Sequence, residues 1–186
     1  MIKTSHKDAP CPMARGIARV GDAWAVLILR EAFYGATRFD EFHKRLGIAP
    51  NMLTRRLNTL VDEGLMSRRQ YSAHPPRDDY VLTDLGRDFR PVLLTLMAWG
   101  NRHFSDDGET VRLTERKSGR PVRIALIDAD TGERITEASH AIAPGPAASA
   151  GLRARLERFA QTQPLESNLS APTHGASQAS TEQLHD

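Results

Sequence analysis

Asn51, Thr54, Arg55 and Asn58 recur at helical spacing within one short segment of a 186-residue chain. At 100° per residue they share one side of a helix, while Leu53, Leu57, Leu60 and Val61 fall on the other. The polar side carries two amides, a hydroxyl and a guanidinium. These groups match base edges: arginine forks onto guanine, asparagine pairs with adenine, and threonine adapts to either. Its one acid, Asp62, sits at the C-terminal end. An ordinary amphipathic helix with a solvated face has the same period, so the helix alone leaves both readings open. A second candidate is Arg77, behind Pro75 and Pro76. A stiff loop that holds an arginine suits a narrow, electronegative minor groove. Asp78 and Asp79 oppose that reading: they either pair with Arg68 or Arg69, or repel phosphate. A third is Cys11, the single cysteine. It precedes a helix N-terminus, with Lys7 and Arg15 nearby, a setting that lowers a thiol pKa. Without a second cysteine, oxidation leads only to an intersubunit disulfide or a mixed adduct.

The elements that would hold these residues follow from periodicity. Ile17, Val20, Trp24, Leu27 and Ile28 predict an amphipathic helix over Ala14 to Phe33, ended by Gly35. Phe39, Phe42 and Leu46 predict a short second helix that stops at Gly47. Pro50 to Glu63 is a third, with proline in the first turn and Gly64 as its stop. Met66–Tyr71 and Asp79–Thr83 then read as a hairpin with a long tip over residues 72–77. Thr83 offers an N-cap to a long helix reaching about Phe104, bent at Pro91. Two apolar strands, Val111–Glu115 and Val122–Ile127, predict a small β unit within residues 110–136. One weak helix follows (Leu152, Leu156, Phe159). From about Thr162 the composition predicts disorder. The expected fold is mainly α (α+β): a winged helix-turn-helix with a small C-terminal β extension and a disordered tail. The expected divisions are 1–105, 106–143 and 144–186.

The turn Gly47-Ile48-Ala49 joins two short helices, and a hairpin follows the second. In that arrangement the second helix enters the major groove. Charge permits such a polyanionic partner: residues 1–105 hold 16 Lys/Arg against 11 Asp/Glu, and residues 106–186 hold 9 against 12. The lone cysteine leaves no intramolecular disulfide or cysteine-based zinc cluster and suits a reducing compartment. The longest clean apolar run, Trp24–Leu29, falls short of a membrane span, and no signal-peptide core stands near Met1. The expectation is a cytoplasmic protein.

Enzyme chemistry lacks its constellations. His43 falls beside Phe39, Phe42 and Leu46 at helical spacing, a helix-edge position. Histidine pairs at metal-ligand spacing and Gly-rich phosphate loops are missing from the sequence. "DADTGE" resembles the start of a calcium loop, but Gly132 comes one residue early and the twelfth position is Ser139, so it reads as a hairpin turn. The expectation is a protein that is not an enzyme and carries neither metal nor cofactor.

Three segments together resemble the HxlR-type winged helix-turn-helix transcriptional regulators. They are Cys11-Pro12 ahead of Gly21–Trp24; Met52-Leu53-Thr54-Arg55-Arg56-Leu57; and Pro75-Pro76-Arg77 followed by Tyr80-Val81-Leu82-Thr83. The similarity covers nearly all of residues 11–104. It implies a homodimer built from the N-terminal helix and the long helix ending near Phe104, bound to double-stranded DNA at a near-palindromic operator; both repressors and activators occur in the family, and a repressor is the expectation here. It implies DNA contacts by Pro50, Asn51, Met52, Thr54, Arg55 and Arg56 on the recognition helix and by Arg77 on the wing. Two positions depart from the family pattern. Ala49 stands where a serine N-cap is common, and Asp78-Asp79-Tyr80 follows the wing arginine. Cysteine at the Cys11 position acts as a redox or electrophile sensor in some members, so a small-molecule or electrophile effector is a further expected partner. The alternative for Cys11 is a small buried residue at the dimer interface. The alternative function is a winged-helix protein-interaction or ligand-sensing dimer with degenerate DNA contacts; the Asn51/Thr54/Arg55 face favours DNA.

Overall fold

A computed structural model describes residues 6–74 and 76–162. They fall into two units, Met1–Leu126 and Ile127–Asp186. The expected disordered tail lies outside the described residues.

In the first unit, a 3-10 turn at His6–Asp8 leads into helix α1 (Pro12–Val20), and α2 follows at Ala23–Phe33. The single helix expected over Ala14–Phe33 is therefore two. Gly21 at φ 101° ends α1, and extended Asp22 starts α2 by accepting from Ala25 N–H at 3.2 Å. The apolar period runs on across the break, which hid it. A glycine that leaves helical φ followed by an N-cap residue is a stop and a restart. α2 is apolar over most of its surface and buries Ala25, Ile28 and Leu29.

Helix α3 (Phe39–Leu46) is started by Glu41, whose Oε2 accepts from the N–H groups of Thr37 (2.8 Å) and Arg38 (3.0 Å). Gly47 closes it in the left-handed region at φ 61°. Ile48, in the turn, is 2% exposed and anchors it to the core. Helix α4 (Pro50–Asp62) begins on Pro50 and buries Leu53, Leu57 and Leu60 completely. Gly64 N–H donates to the Val61 carbonyl and Leu65 N–H to that of Leu60, the paired bonds of a Schellman stop.

Strands β1 (Met66–Ala73) and β2 (Pro76–Leu82) pair antiparallel from Met66↔Leu82 to Ala73↔Pro76. The expected tip over residues 72–77 is thus mostly ladder. A register shift between Gln70 and Ser72 lets the pairing continue to Pro76, the kind of strand-end position where proline is tolerated. Residues 37 and 38 lie along the outer edge of β2: Arg38 bridges Asp79, and Tyr80 N–H donates to the Thr37 carbonyl at 2.7 Å.

Thr83 caps the next turn, accepting from Gly86 N–H at 3.1 Å and donating to the Gly64 carbonyl at 2.6 Å. The helix expected to run on to about Phe104 is interrupted after its first turn. α5 (Asp84–Arg87) and α6 (Arg90–His103) meet at Asp88–Phe89. Pro91 lacks an N–H and its ring crowds the preceding turn, so it serves as a first-turn residue of a new helix. α6 buries none of its residues, and Val92, Leu96 and Trp99 are each about half exposed.

The expected strands Val111–Glu115 and Val122–Ile127 are reduced to single-rung bridges, Thr114↔Pro121 in the first unit and Ile127↔Arg134 in the second. The first rests on two bonds, Val122 N–H to the Leu113 carbonyl and Glu115 N–H to the Arg120 carbonyl, both 2.8 Å. In the second unit, Asp128 closes its own turn, accepting from Asp130 N–H at 2.9 Å, with Gly132 at φ 75°. That backbone bond holds the Asp128 carboxyl below its ordinary value. The expected hairpin-turn reading of this segment fits that geometry. Helix α7 (Ala150–Thr162) carries Leu152 and Leu156 half-buried and Phe159 exposed.

Candidate nucleic-acid interface

The three buried leucines fix which side of α4 faces away from the core. Pro50, Asn51, Thr54 and Arg55 are exposed along it, and Met52 is 39% exposed at the same end. Two of the polar side chains are held by their own helix. Asn51 Oδ1 accepts from Met52 N–H at 2.8 Å, and Thr54 Oγ1 donates to the Pro50 carbonyl at 2.9 Å. Asn51 keeps its amide donors and Thr54 its lone pairs, so both still offer something to a base edge. The guanidinium of Arg55 is exposed, and among the described residues it forms no ion pair. No side chain caps the helix at Ala49, so the α4 N-terminus keeps amide donors and positive partial charge at the surface.

Arg56 is placed differently from the rest of the expected set. It lies on the flank of α4, is 26% exposed, and pairs with the Asp22 carboxylate at the start of α2. The structure brings together Pro50, Asn51, Met52, Thr54 and Arg55, and turns Arg56 aside. Asn58 is half-buried and accepts from the Arg68 guanidinium, which also lies 5.9 Å from the Tyr80 ring centroid. That contact ties the middle of α4 to the base of the wing.

The acids of the wing resolve in an informative way. Asp79 is 9% exposed and faces inward. Its carboxylate takes Arg69 Nη2 at 3.3 Å, the Thr37 hydroxyl at 3.3 Å and Arg38 Nε at 4.0 Å. Of the two acids, Asp79 is therefore neutralised by β1 and by the residue preceding α3. Arg77 stays exposed at the tip, opposite Ser72. Arg38 stacks over Tyr71, 4.8 Å from the ring centroid.

Underneath, Glu31 is 6% exposed and takes two arginines: Arg30 Nη2 at 2.6 Å and, from α3, Arg45 Nη1 at 3.6 Å. This bridge fixes α3 on α2 and so sets the turn before α4. Sequence reasoning missed Asp22, Glu31 and Thr37. Asp22 ahead of an apolar run has the signature of an N-cap; nothing local reveals the partners of the other two.

Cys11 is half-buried at the N-cap of α1. The two cations near it in sequence also reach other groups. Lys7 pairs with Glu63, just past the end of α4, and Arg15 Nη1 donates to the carbonyls of Ala9 (2.8 Å) and Pro10 (3.1 Å).

Two helices joined by a tight glycine turn, the second with an exposed polar row and followed by an arginine-tipped hairpin, define a winged helix-turn-helix. The chain belongs to the HxlR-like helix-turn-helix family, whose model matches residues 19–108. It is similar to the uncharacterized HTH-type transcriptional regulator Mb3122 of Mycobacterium bovis, at 37% identity over 153 residues, covering 82% of this chain and 94% of that protein. Among solved structures it is similar to PA1374 of Pseudomonas aeruginosa, named as a transcription factor: 52% identity, TM-score 0.57, covering 78% of this chain and all of the other. PA1607, similarly named, gives 41% identity and a TM-score of 0.68 over 76% of this chain and all of the other. The chain is thus a DNA-binding transcription regulator of the helix-turn-helix type. A match of 153 residues runs past the family model's end at residue 108, so part of the C-terminal extension is matched in Mb3122. Among the described residues, no helix is long and apolar enough to cross a membrane.

Proposed function

We propose that the protein binds operator DNA as a homodimer, with the N-terminal half of α4 reading bases in the major groove and Arg77 entering the flanking minor groove. The observation that carries this reading is the exposed Asn51–Thr54–Arg55 row set rigidly over Leu53, Leu57 and Leu60. Phosphate contacts supply most of the affinity and make it salt-dependent. Residues 1–105 act as the DNA-binding and dimerisation part, and the segment beyond them as an accessory to it. The dimer reading is supported by the exposed apolar residues of α1 and α6. Met13 is 72% exposed, Ile17 61% and Phe104 70%, an unusual display for helices at the ends of such a domain. Two copies related by a two-fold axis read two half-sites of a near-palindrome, separated by about one helical turn or a small multiple. Bound over a promoter in the cytoplasm, such a dimer acts as a repressor. A small-molecule or electrophile effector, with Cys11 as the reactive group in the second case, releases it. The protein has no catalytic role in this scheme.

The test is selection from a random-sequence duplex pool by the purified protein, with the mass of the resulting complex measured by light scattering. Enrichment of an inverted repeat bound by two copies is expected. Recovery of unselected sequences, or a single copy bound to a non-repeated site, would refute it.

A further inference from the structure

Asp22 serves two helices at once. Its Oδ1 caps α2 through Ala25 N–H, and its Oδ2 receives Arg56 Nη2 from α4. Gly21, at φ 101°, sets the backbone turn that presents it. On the other side of the pair, the Arg56 Nε atom is buried, with no hydrogen-bond partner among the described residues. The pair is partly exposed, with the Arg56 side chain 26% and the Asp22 side chain 39% accessible, and a partly solvated ion pair adds little net stability. What the contact supplies is geometry. α4 packs on the core through leucines, and apolar contacts resist separation better than they resist a small roll about the helix axis. An ion pair on the flank resists that roll. Arg55, the adjacent residue, is exposed, so a small rotation of α4 swings its guanidinium across a base-pair step.

We propose that Arg56 is a positioning residue and not a DNA contact: with Asp22 it forms a strut from α2 that holds the Asn51–Thr54–Arg55 row at the angle for base reading. This rests on the DNA-reading function proposed above. It departs from the residue set that family resemblance suggests, and it makes a prediction of opposite sign. If Arg56 touched phosphate, removing Asp22's charge would free it to do so and tighten binding. If it is a strut, removing either partner has the same effect.

The experiment is fluorescence anisotropy with two duplexes: one enriched by the wild-type protein from a random-sequence pool, the other its scrambled counterpart. The variants are Asp22→Asn, Arg56→Gln and the double variant. Asparagine is an equally good N-cap, so Asp22→Asn keeps α2 capped while losing the charge. The strut predicts a roughly tenfold loss of affinity for the enriched duplex in each single variant, with no further loss in the double. It also predicts unchanged affinity for the scrambled duplex and an unchanged salt slope. Arg56→Lys, which restores the charge without the fork, should recover part of the loss. Tighter binding by Asp22→Asn, or a salt slope lowered by about one in Arg56→Gln, would overturn the proposal and make Arg56 a phosphate contact. So would loss of thermal stability in both variants with selective affinity unchanged, the mark of a purely structural pair. Wild-type protein that prefers neither duplex would overturn the DNA reading itself, and the strut with it.

Discussion

The Asp79 carboxylate lies 3.3 Å from Arg69 Nη2 on the neighbouring strand, and the same group accepts from the Thr37 hydroxyl. An acid that seems to spoil the wing in the sequence is instead the pin that fastens the wing to the start of α3. Asp79→Ala should therefore destabilise the fold by about 1–3 kcal/mol, because it leaves the part-buried Thr37 hydroxyl without its acceptor. Urea unfolding checks this. The same variant should weaken DNA binding, whereas an acid that merely repelled phosphate would strengthen binding when removed.

Gly86 packs directly against the backbone of Leu65. A Cβ there would run into the Leu65 carbonyl. Gly86→Ala should cost about 1–3 kcal/mol through forced backbone shifts, seen as a lower denaturation midpoint. Gly100→Ala is the control: that position has open space around it, and alanine should be neutral or slightly stabilising.

Glu41 accepts from the backbone N–H groups of Arg38 and Thr37, and these bonds hold its carboxyl below the ordinary value of 4.5. A group whose folded pKa is depressed contributes stability that is full above its unfolded value and is lost as pH falls through the folded one. The acid limb of the stability curve below about pH 4.5 should therefore flatten in Glu41→Gln, which keeps an acceptor but does not titrate there. An unchanged acid limb would show that Glu41 does not contribute to it.

Arg77 is exposed at the wing tip. Arg77→Ala should weaken binding to all sequences by a similar factor and lower the salt slope by about one. A shift in the preferred bases would instead make the wing a base reader.

The parts of this fold legible in the sequence are those whose causes are local. α3 and α4 end on Gly47 and Gly64, and α4 begins on Pro50, each a residue whose own backbone decides the matter. The polar row of α4 was legible for the same reason: helical period plus buried leucines orient it. The breaks at Gly21-Asp22 and at Asp88–Phe89 were hidden because the apolar period continues through both. The destinations of charged side chains were hidden more deeply. Nothing near Asp79 announces Thr37, and nothing near Arg56 announces Asp22, because those pairings exist only once α2, α4 and the wing are packed. The ladder through Pro76 was missed because a register shift rescues the pairing that the tip composition argues against.

The central claim is that the exposed face of α4 reads bases, and Arg55 is its sharpest element. The direct measurement is the affinity of wild type and Arg55→Ala for the enriched duplex and for its full set of single base-pair substitutions. The account predicts that wild type discriminates throughout both half-sites. Arg55→Ala should lose about 1–3 kcal/mol of discrimination at one symmetric position and keep the rest. An Arg55→Ala variant with the same profile as wild type, differing only in overall affinity, would contradict it.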